Sequence, residues 1–134
     1  MVGETNLSTL LSNMSPELQP AEYVFCTVKA AGAELNKYLG LQPLASFMEA
    51  EGLTLVIEKS VAQAENLAYE SVFKCITLKV HSSLDAVGLT AAVAGKLAEY
   101  GISANVMAAY YHDHIFVQTD KAGAAMQALQ RFTV

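Results

Sequence analysis

Positive charge is scarce in this chain and nowhere concentrated. Eight lysines and arginines stand against thirteen acidic residues among 134, a net charge of −5 at pH 7. Nucleic acids and anionic membrane surfaces both require a dense basic patch, so neither is expected as a partner. Charge of either sign is thin as well: 16% of residues are charged and 53% apolar, which excludes disorder and leaves ample material for a core. With so few charges to cover the surface, some apolar area is expected to stay exposed and to support a homodimer or higher homo-oligomer.

Catalytic signatures are missing too. The chain has no Ser-His-Asp order, no phosphate-binding glycine loop, no CxxC pair and no Walker-type sequence, so no cofactor is expected. The opening MVGETNLSTLLSNM lacks the basic start and long apolar run of a signal peptide, and no window is long enough to cross a bilayer. A soluble, cytoplasmic protein is expected. Cys26 and Cys75 each sit inside an apolar, strand-like run, where a reducing compartment would leave them as buried thiols.

What is present reads as short elements in order. Leu7, Leu10, Leu11 and Met14 form the apolar face of a helix that Pro16 and Pro20 close off. Tyr23 to Lys29 is a strand, AELNKYL supplies one or two helical turns, and Ser46 to Glu58 is a hairpin bending at Glu51-Gly52. Ser60 and Gln63 have capping-box spacing before a short helix over VAQAENL. Tyr69 to His81 is long for one strand, so a bend near Lys74 and two strands with different partners are expected.

The most informative stretch runs from Asp85 to Asn105. Leu89, Val93, Leu97 and Tyr100 make one apolar helical stripe, Ser82 or Ser83 is expected to cap its start before Asp85, and Gly101 supplies the left-handed residue that stops it. A strand from Ile102 follows, then a turn over Tyr110 to Asp113, a strand over His114 to Gln118, and a final helix capped by Asp120 with Ala122, Ala125, Met126 and Leu129 on its apolar face.

Laid side by side, the two halves share an order of strand, connection, strand, turn, strand and helix. The expected class is α+β: two ferredoxin-like βαββαβ units in tandem, each an antiparallel sheet with helices on one face, the first abbreviated. The division is an N-terminal helical arm at 1–20, an abbreviated unit at 21–73 and a complete unit at 74–134. The final strand of the second unit is missing from the sequence, so the first unit, the arm or a second subunit must cover that sheet edge.

Asp85, Gly88-Leu89, Val93, Leu97-Ala98, Gly101-Ile102-Ser103 and Asn105 together resemble the ACT domains, small-molecule-sensing modules of amino-acid metabolism. The two-unit layout is similar to the stand-alone tandem ACT proteins of bacteria. The resemblance covers about residues 75 to 131, and Val87 stands where the family often has proline. It implies a non-enzymatic regulatory module whose ligand, commonly an amino acid, sits where the first strand of the unit meets its helix, with the output passed to a separate regulated protein. In this chain that place is His81, Ser82, Ser83, Asp85, Val87, Gly88 and Leu89, with Ile102, Ser103 and Asn105 as the next wall.

The physics of such a site is sound on its own terms. A helix start offers unpaired N–H groups to a carboxylate, and a glycine lets backbone approach a ligand. Asp85 would then pair with an ammonium group, although a plain helix cap is its bland alternative, as a close helix-to-sheet contact is for Gly88.

All three histidines of the chain are expected at the same end of the unit. His81 follows the first strand, and His112 and His114 flank the hairpin tip with Asp113 between them, forming the edge of the pocket. The alternative is a metal-dependent small enzyme using His81, His112 and His114. Two imidazoles on alternate residues do not by themselves make a zinc site. A scaffold without a ligand is the third reading.

Overall fold

The computed structural model describes residue 3, residues 6–81 and residues 83–132. Among them the elements run α1 (Leu7–Ser12), β1 (Pro16–Val28), α2 (Ala33–Leu39), β2 (Ala45–Glu49), β3 (Gly52–Glu58), α3 (Lys59–Ala64), β4 (Phe73–Leu78), α4 (Leu89–Glu99), β5 (Asn105–Ala108), β6 (Asp113–Gln118) and α5 (Ala122–Gln130). The strands form an antiparallel, curled sheet in the order β2-β3-β1-β4-β6-β5, and the class is α+β with the ferredoxin-like order of elements. No helix among the described residues is long and apolar enough to cross a membrane.

The chain divides into two compact units, one of Ala21–Phe73 and one of Met1–Pro20 with Lys74–Val134. In the unit of Ala21–Phe73, β1 and β3 pair antiparallel with Tyr23 opposite Glu58 and Val28 opposite Leu53, and β2 pairs with β3 from Ala45 opposite Val56 to Glu49 opposite Gly52. Alternation along these strands puts Val24, Cys26, Leu53, Leu55 and Ile57 on one face. There they are buried with Ala62 of α3, and Leu35 and Tyr38 of α2 pack against them.

The other unit holds the larger core. Ile76 and Leu78 of β4 and Ile115 and Val117 of β6 are buried with Leu89, Val93 and Leu97 of α4, with Ala122, Ala125, Ala128 and Leu129 of α5, and with Leu10 and Met14 at the N-terminus. The N-terminal stretch supplies the cover that the sequence leaves open. Beside β4 lies β1, whose opening residues belong to this unit, and the Ser15 and Met14 carbonyls accept from the N–H groups of Lys79 (3.2 Å) and Val80 (3.4 Å). Pro16 and Pro20 therefore end the first helix without excluding strand, Pro16 taking the first position, where a missing N–H costs nothing.

α4 ends as its sequence requires. Gly101 is left-handed at φ 71°, the Ile102 N–H donates to the Leu97 carbonyl and the Gly101 N–H to the Ala98 carbonyl, and buried Ile102 and Leu97 close the contact. Its start differs from expectation. The helix begins at Leu89, four residues after Asp85, because Gly88 is its N-cap in a left-handed conformation at φ 99° with no side-chain cap. Asp85 lies in the preceding turn, where its N–H donates to the Ser83 hydroxyl. Tyr100, expected on the buried stripe, is the exposed C-cap.

Other local expectations are corrected in the same way. α3 starts at Lys59 with Glu58 as N-cap, so Ser60 lies inside the helix rather than capping it. Residues 66–72 form no strand, and a single strand from Phe73 replaces the expected pair. Asp120 sits in a 3-10 turn, Thr119–Lys121, that leads into α5.

Two glycines separate backbone strain from steric overlap. A Cβ at Gly101 would meet nothing within 4 Å, so Gly101→Ala is expected to cost only the left-handed conformation, about 1 kcal/mol. A Cβ at Gly52 would come within 2.8 Å of the Val28 carbonyl oxygen, so Gly52→Ala must shift backbone and is expected to cost more. Chemical denaturation midpoints of the two variants check the order.

Candidate functional site

The end of β4, the start of α4 and the tip of the β5–β6 hairpin meet at one end of the larger unit and enclose a cavity of about 90 Å³. Ser83, Leu84, Ala86 and Gly88 line it from the loop, Leu89 and Thr90 from the first turn of α4, and Ala108 and Asp113 from the facing ends of β5 and β6. Ala108 and Asp113 are register partners, so the hairpin closes just above the cavity.

The helix contributes its positive end. The first N–H groups of a helix have no acceptor within it, and Gly88 brings no side-chain oxygen to satisfy them. Gly88 is also tightly packed, because a Cβ there would lie 3.2 Å from Cδ2 of Leu7, so the N-terminal helix holds this turn from behind.

Asp113 lines the same cavity as that helix end. It lies on the same strand face as Ile115 and Val117 and is only 9% exposed. Among the described residues no hydrogen bond or ion pair to its carboxylate is found, and no occluded side-chain oxygen is left without a partner. An unpartnered carboxylate that is not occluded keeps some contact with solvent, and the residue lines the cavity. Burial raises its pKa above that of an ordinary aspartate, and the neighbouring His114 and His112 pull in the other direction.

The strand's next residue points the other way. The His114 ring nitrogen Nδ1 and the Thr77 hydroxyl share a hydrogen bond of 2.9 Å, and Gln19 Nε2 donates to the same hydroxyl at 3.1 Å, a row across β6, β4 and β1. Burial lowers the His114 pKa, as do His112 and Lys79, while Asp113 opposes them. Burial raises the Cys26 and Cys75 thiols, which stay free and unreactive in their strands.

The residues singled out in the sequence are thus distributed unevenly. Ser83, Gly88, Leu89 and Asp113 meet at the cavity, and Ser82 lies outside the described residues. Asp85 and Val87 are exposed on the loop. Ile102, Ser103 and Asn105 lie at the far end of α4 and β5, where Ile102 is core, Ser103 is exposed and Asn105 donates to the Phe116 carbonyl at 3.3 Å. Leu84, Ala86, Thr90 and Ala108 line the cavity and carry no chemistry that a sequence would flag.

The histidines share that end of the unit but make separate contacts. His81 stacks near Tyr111 with ring centroids 5.2 Å apart, His112 Nδ1 lies 3.4 Å from the Val80 carbonyl, and His114 belongs to the Thr77 row. No group of three His, Cys, Asp or Glu among the described residues could hold a metal ion.

The unit of Ala21–Phe73 has a cleft at the equivalent place, between the end of β1, the start of α2 and the β2–β3 turn. It is wider, about 400 Å³, and its charged residues Lys29, Glu34, Glu49 and Glu51 are not buried. Nothing there matches the enclosed carboxylate of Asp113.

Comparison with known proteins gives a consistent picture. Residues 2–74 match one family model and residues 70–131 a second, both described as ACT domain. A search of curated proteins finds no match. Among solved structures, a Vibrio cholerae protein of unknown function, described as a possible transport protein, is 58% identical over 96% of both chains with a TM-score of 0.86. An Agrobacterium tumefaciens protein is similar in fold at 13% identity, covering 88% of this chain and 87% of its own, with a TM-score of 0.69. The ligand-free regulatory subunit of aspartate kinase from Thermus thermophilus is similar at 10% identity over 92% and 99%, with a TM-score of 0.65. At those identities the last two bear on the fold alone.

The enclosed carboxylate carries a stability cost with a defined sign. Between the ordinary aspartate value and the raised folded one, the folded chain holds more protons than the unfolded chain. Stability therefore falls as pH rises through that window, and the cost stands in full above it. Asp113→Asn is expected to stabilise the protein at pH 7 by on the order of 1 kcal/mol, a few degrees in Tm. That gain should shrink as the pH is lowered through the window, and Tm against pH for the two proteins checks it.

Proposed function

Since the chain belongs to the ACT-domain family, we propose that it is a non-enzymatic regulatory module that binds a small molecule, an amino acid, at the start of α4. Family membership supports a small-molecule-binding regulatory role in general. The observation that supports this site in particular is the pairing of a helix N-terminus with an enclosed, unpartnered carboxylate in one cavity. An amino acid carries one group for each: its carboxylate suits the free N–H groups of α4, and its ammonium suits a buried anion. Ser83, Gly88, Leu89 and Asp113 are the residues proposed to make the site, and Ile102, Ser103 and Asn105 are left out of it because α4 separates them from the cavity.

The protein would act in the cytoplasm by linkage: the ligand stabilises the arrangement it prefers, and any regulated partner that distinguishes the arrangements responds reciprocally. Self-association is part of the proposal. The edge strand β2 leaves Phe47 69% and Met48 54% exposed, apolar side chains on opposite faces of a strand with one unpaired backbone edge. Light scattering at micromolar concentration should give at least a dimer mass, and Phe47→Glu should lower it towards the monomer.

A thermal-shift screen over the common amino acids tests the binding. A ligand at a hundredfold excess over its Kd adds about 2.7 kcal/mol, several degrees for a chain of this size. Gly88→Val should abolish the shift, because a Cβ there is strained at φ 99° and meets Leu7. Asp85→Ala should leave the shift in place, its side chain being exposed on the loop. Absence of a shift with every amino acid would remove the proposal.

A further inference from the structure

The size of the cavity constrains what fills it. About 90 Å³ holds roughly three water molecules at about 30 Å³ each, far below the several hundred Å³ of an ordinary small-molecule pocket. A zwitterionic headgroup fits such a space, but a large side chain does not. The rest of any ligand must lie outside the cavity, on the surface that surrounds it.

That surface is made of rings. The hairpin tip between Ala108 and Asp113 carries Tyr110 and Tyr111, 62% and 59% exposed, and the loop that enters the cavity at Ser83 begins just after His81. Tyr110 and Tyr111 stand edge to face with centroids 5.0 Å apart, and His81 lies 5.2 Å from Tyr111 and 6.5 Å from Tyr110. On the same loop Leu84 and Val87 are 64% and 83% exposed. Rings held in a cluster yet open to water cost free energy to expose, and they offer faces and edges at the spacing that aromatic partners prefer.

We propose that Asp113 binds the ammonium group of the ligand and that the His81–Tyr110–Tyr111 ring cluster holds its side chain, so that the ligand is an α-amino acid with an aromatic side chain. This rests on the site proposed above and narrows it in two ways. It moves the ammonium partner from Asp85, which is exposed and lines no part of the cavity, to Asp113, which is nine-tenths buried in the cavity wall. It also predicts selectivity, because an aromatic side chain gains stacked or edge-to-face contacts with the rings that an aliphatic one does not.

Calorimetric titration of the full chain with L-phenylalanine, L-leucine, L-alanine and 3-phenylpropionate separates the parts. L-Phenylalanine should bind about threefold to tenfold more tightly than L-leucine, the advantage expected of specific ring contacts, and more tightly still than L-alanine. Asp113→Asn should weaken L-phenylalanine about tenfold or more, since a charge-assisted hydrogen bond becomes a neutral one, and should not weaken 3-phenylpropionate, which has no ammonium and loses only a like charge. The double variant Tyr110→Ala with Tyr111→Ala, both exposed and outside the core, should bring L-phenylalanine down to the level of L-alanine. Equal binding of all three amino acids would overturn the ring assignment and leave the site intact. Equal losses for L-phenylalanine and 3-phenylpropionate in Asp113→Asn would overturn the role of Asp113. Failure of all three amino acids to bind the unaltered chain would overturn the underlying site as well.

Discussion

The buried stripe of α4 is the constraint on which the larger unit depends. Leu89, Val93 and Leu97 lie in one cluster with Ile76 and Leu78 of β4 and Ile115 and Val117 of β6, each of the seven side chains 3% exposed or less. At about 1.5–3 kcal/mol for each buried large aliphatic side chain, this packing outweighs any single polar term in the unit. A helix pinned along that stripe has no freedom to slide, so its two ends fall at fixed heights against the strands. One end meets Ile102 and turns into β5. The other arrives opposite Asp113, and the cavity exists because the loop from β4 to α4 needs Gly88 in a left-handed turn to make that approach.

The asymmetry between the two ends of α4 explains what could be seen in the sequence. The stop was legible because everything it needs is local: Gly101 supplies the positive φ, and Leu97 and Ile102 are the apolar pair that a Schellman turn brings together. The start was misplaced by four residues because the favoured cap signals, serine and aspartate, were present at Ser83 and Asp85 but serve a turn instead. A glycine N-cap leaves only a weak mark. The order of elements, the tandem layout and the buried cysteines were legible for the same reason as the stop, since periodicity of 2 or 3.6 needs no knowledge of tertiary neighbours. The strand expected before Phe73 failed because a run of β-branched and aromatic residues states a preference for burial and says nothing about whether a partner strand is present.

For the candidate site, the sequence pointed to the end of the unit where the cavity lies but could not rank the two aspartates. Asp85 and Asp113 look alike in a string, each in a loop-like context and each near a histidine or serine. Their difference lies in environment: one is exposed in a turn, and the other is enclosed by elements that are far apart in the chain, the first turn of α4 and the base of a hairpin. Leu84, Ala86, Thr90 and Ala108 were invisible on the same grounds, because they shape the cavity by position and carry no distinctive chemistry.

Asp113 and His114 meet burial in different ways. They are adjacent on one strand and point to opposite faces, and burial works against the charged form of each. On the His114 face the chain meets the problem in the usual way, with Thr77 and Gln19 forming a hydrogen-bonded row for the neutral ring. On the Asp113 face no such row is found among the described residues. Asparagine in that position would keep the shape and remove the charge penalty. In the proposed site, the ammonium group of a ligand would offset that cost, while the positive end of α4 would take its carboxylate.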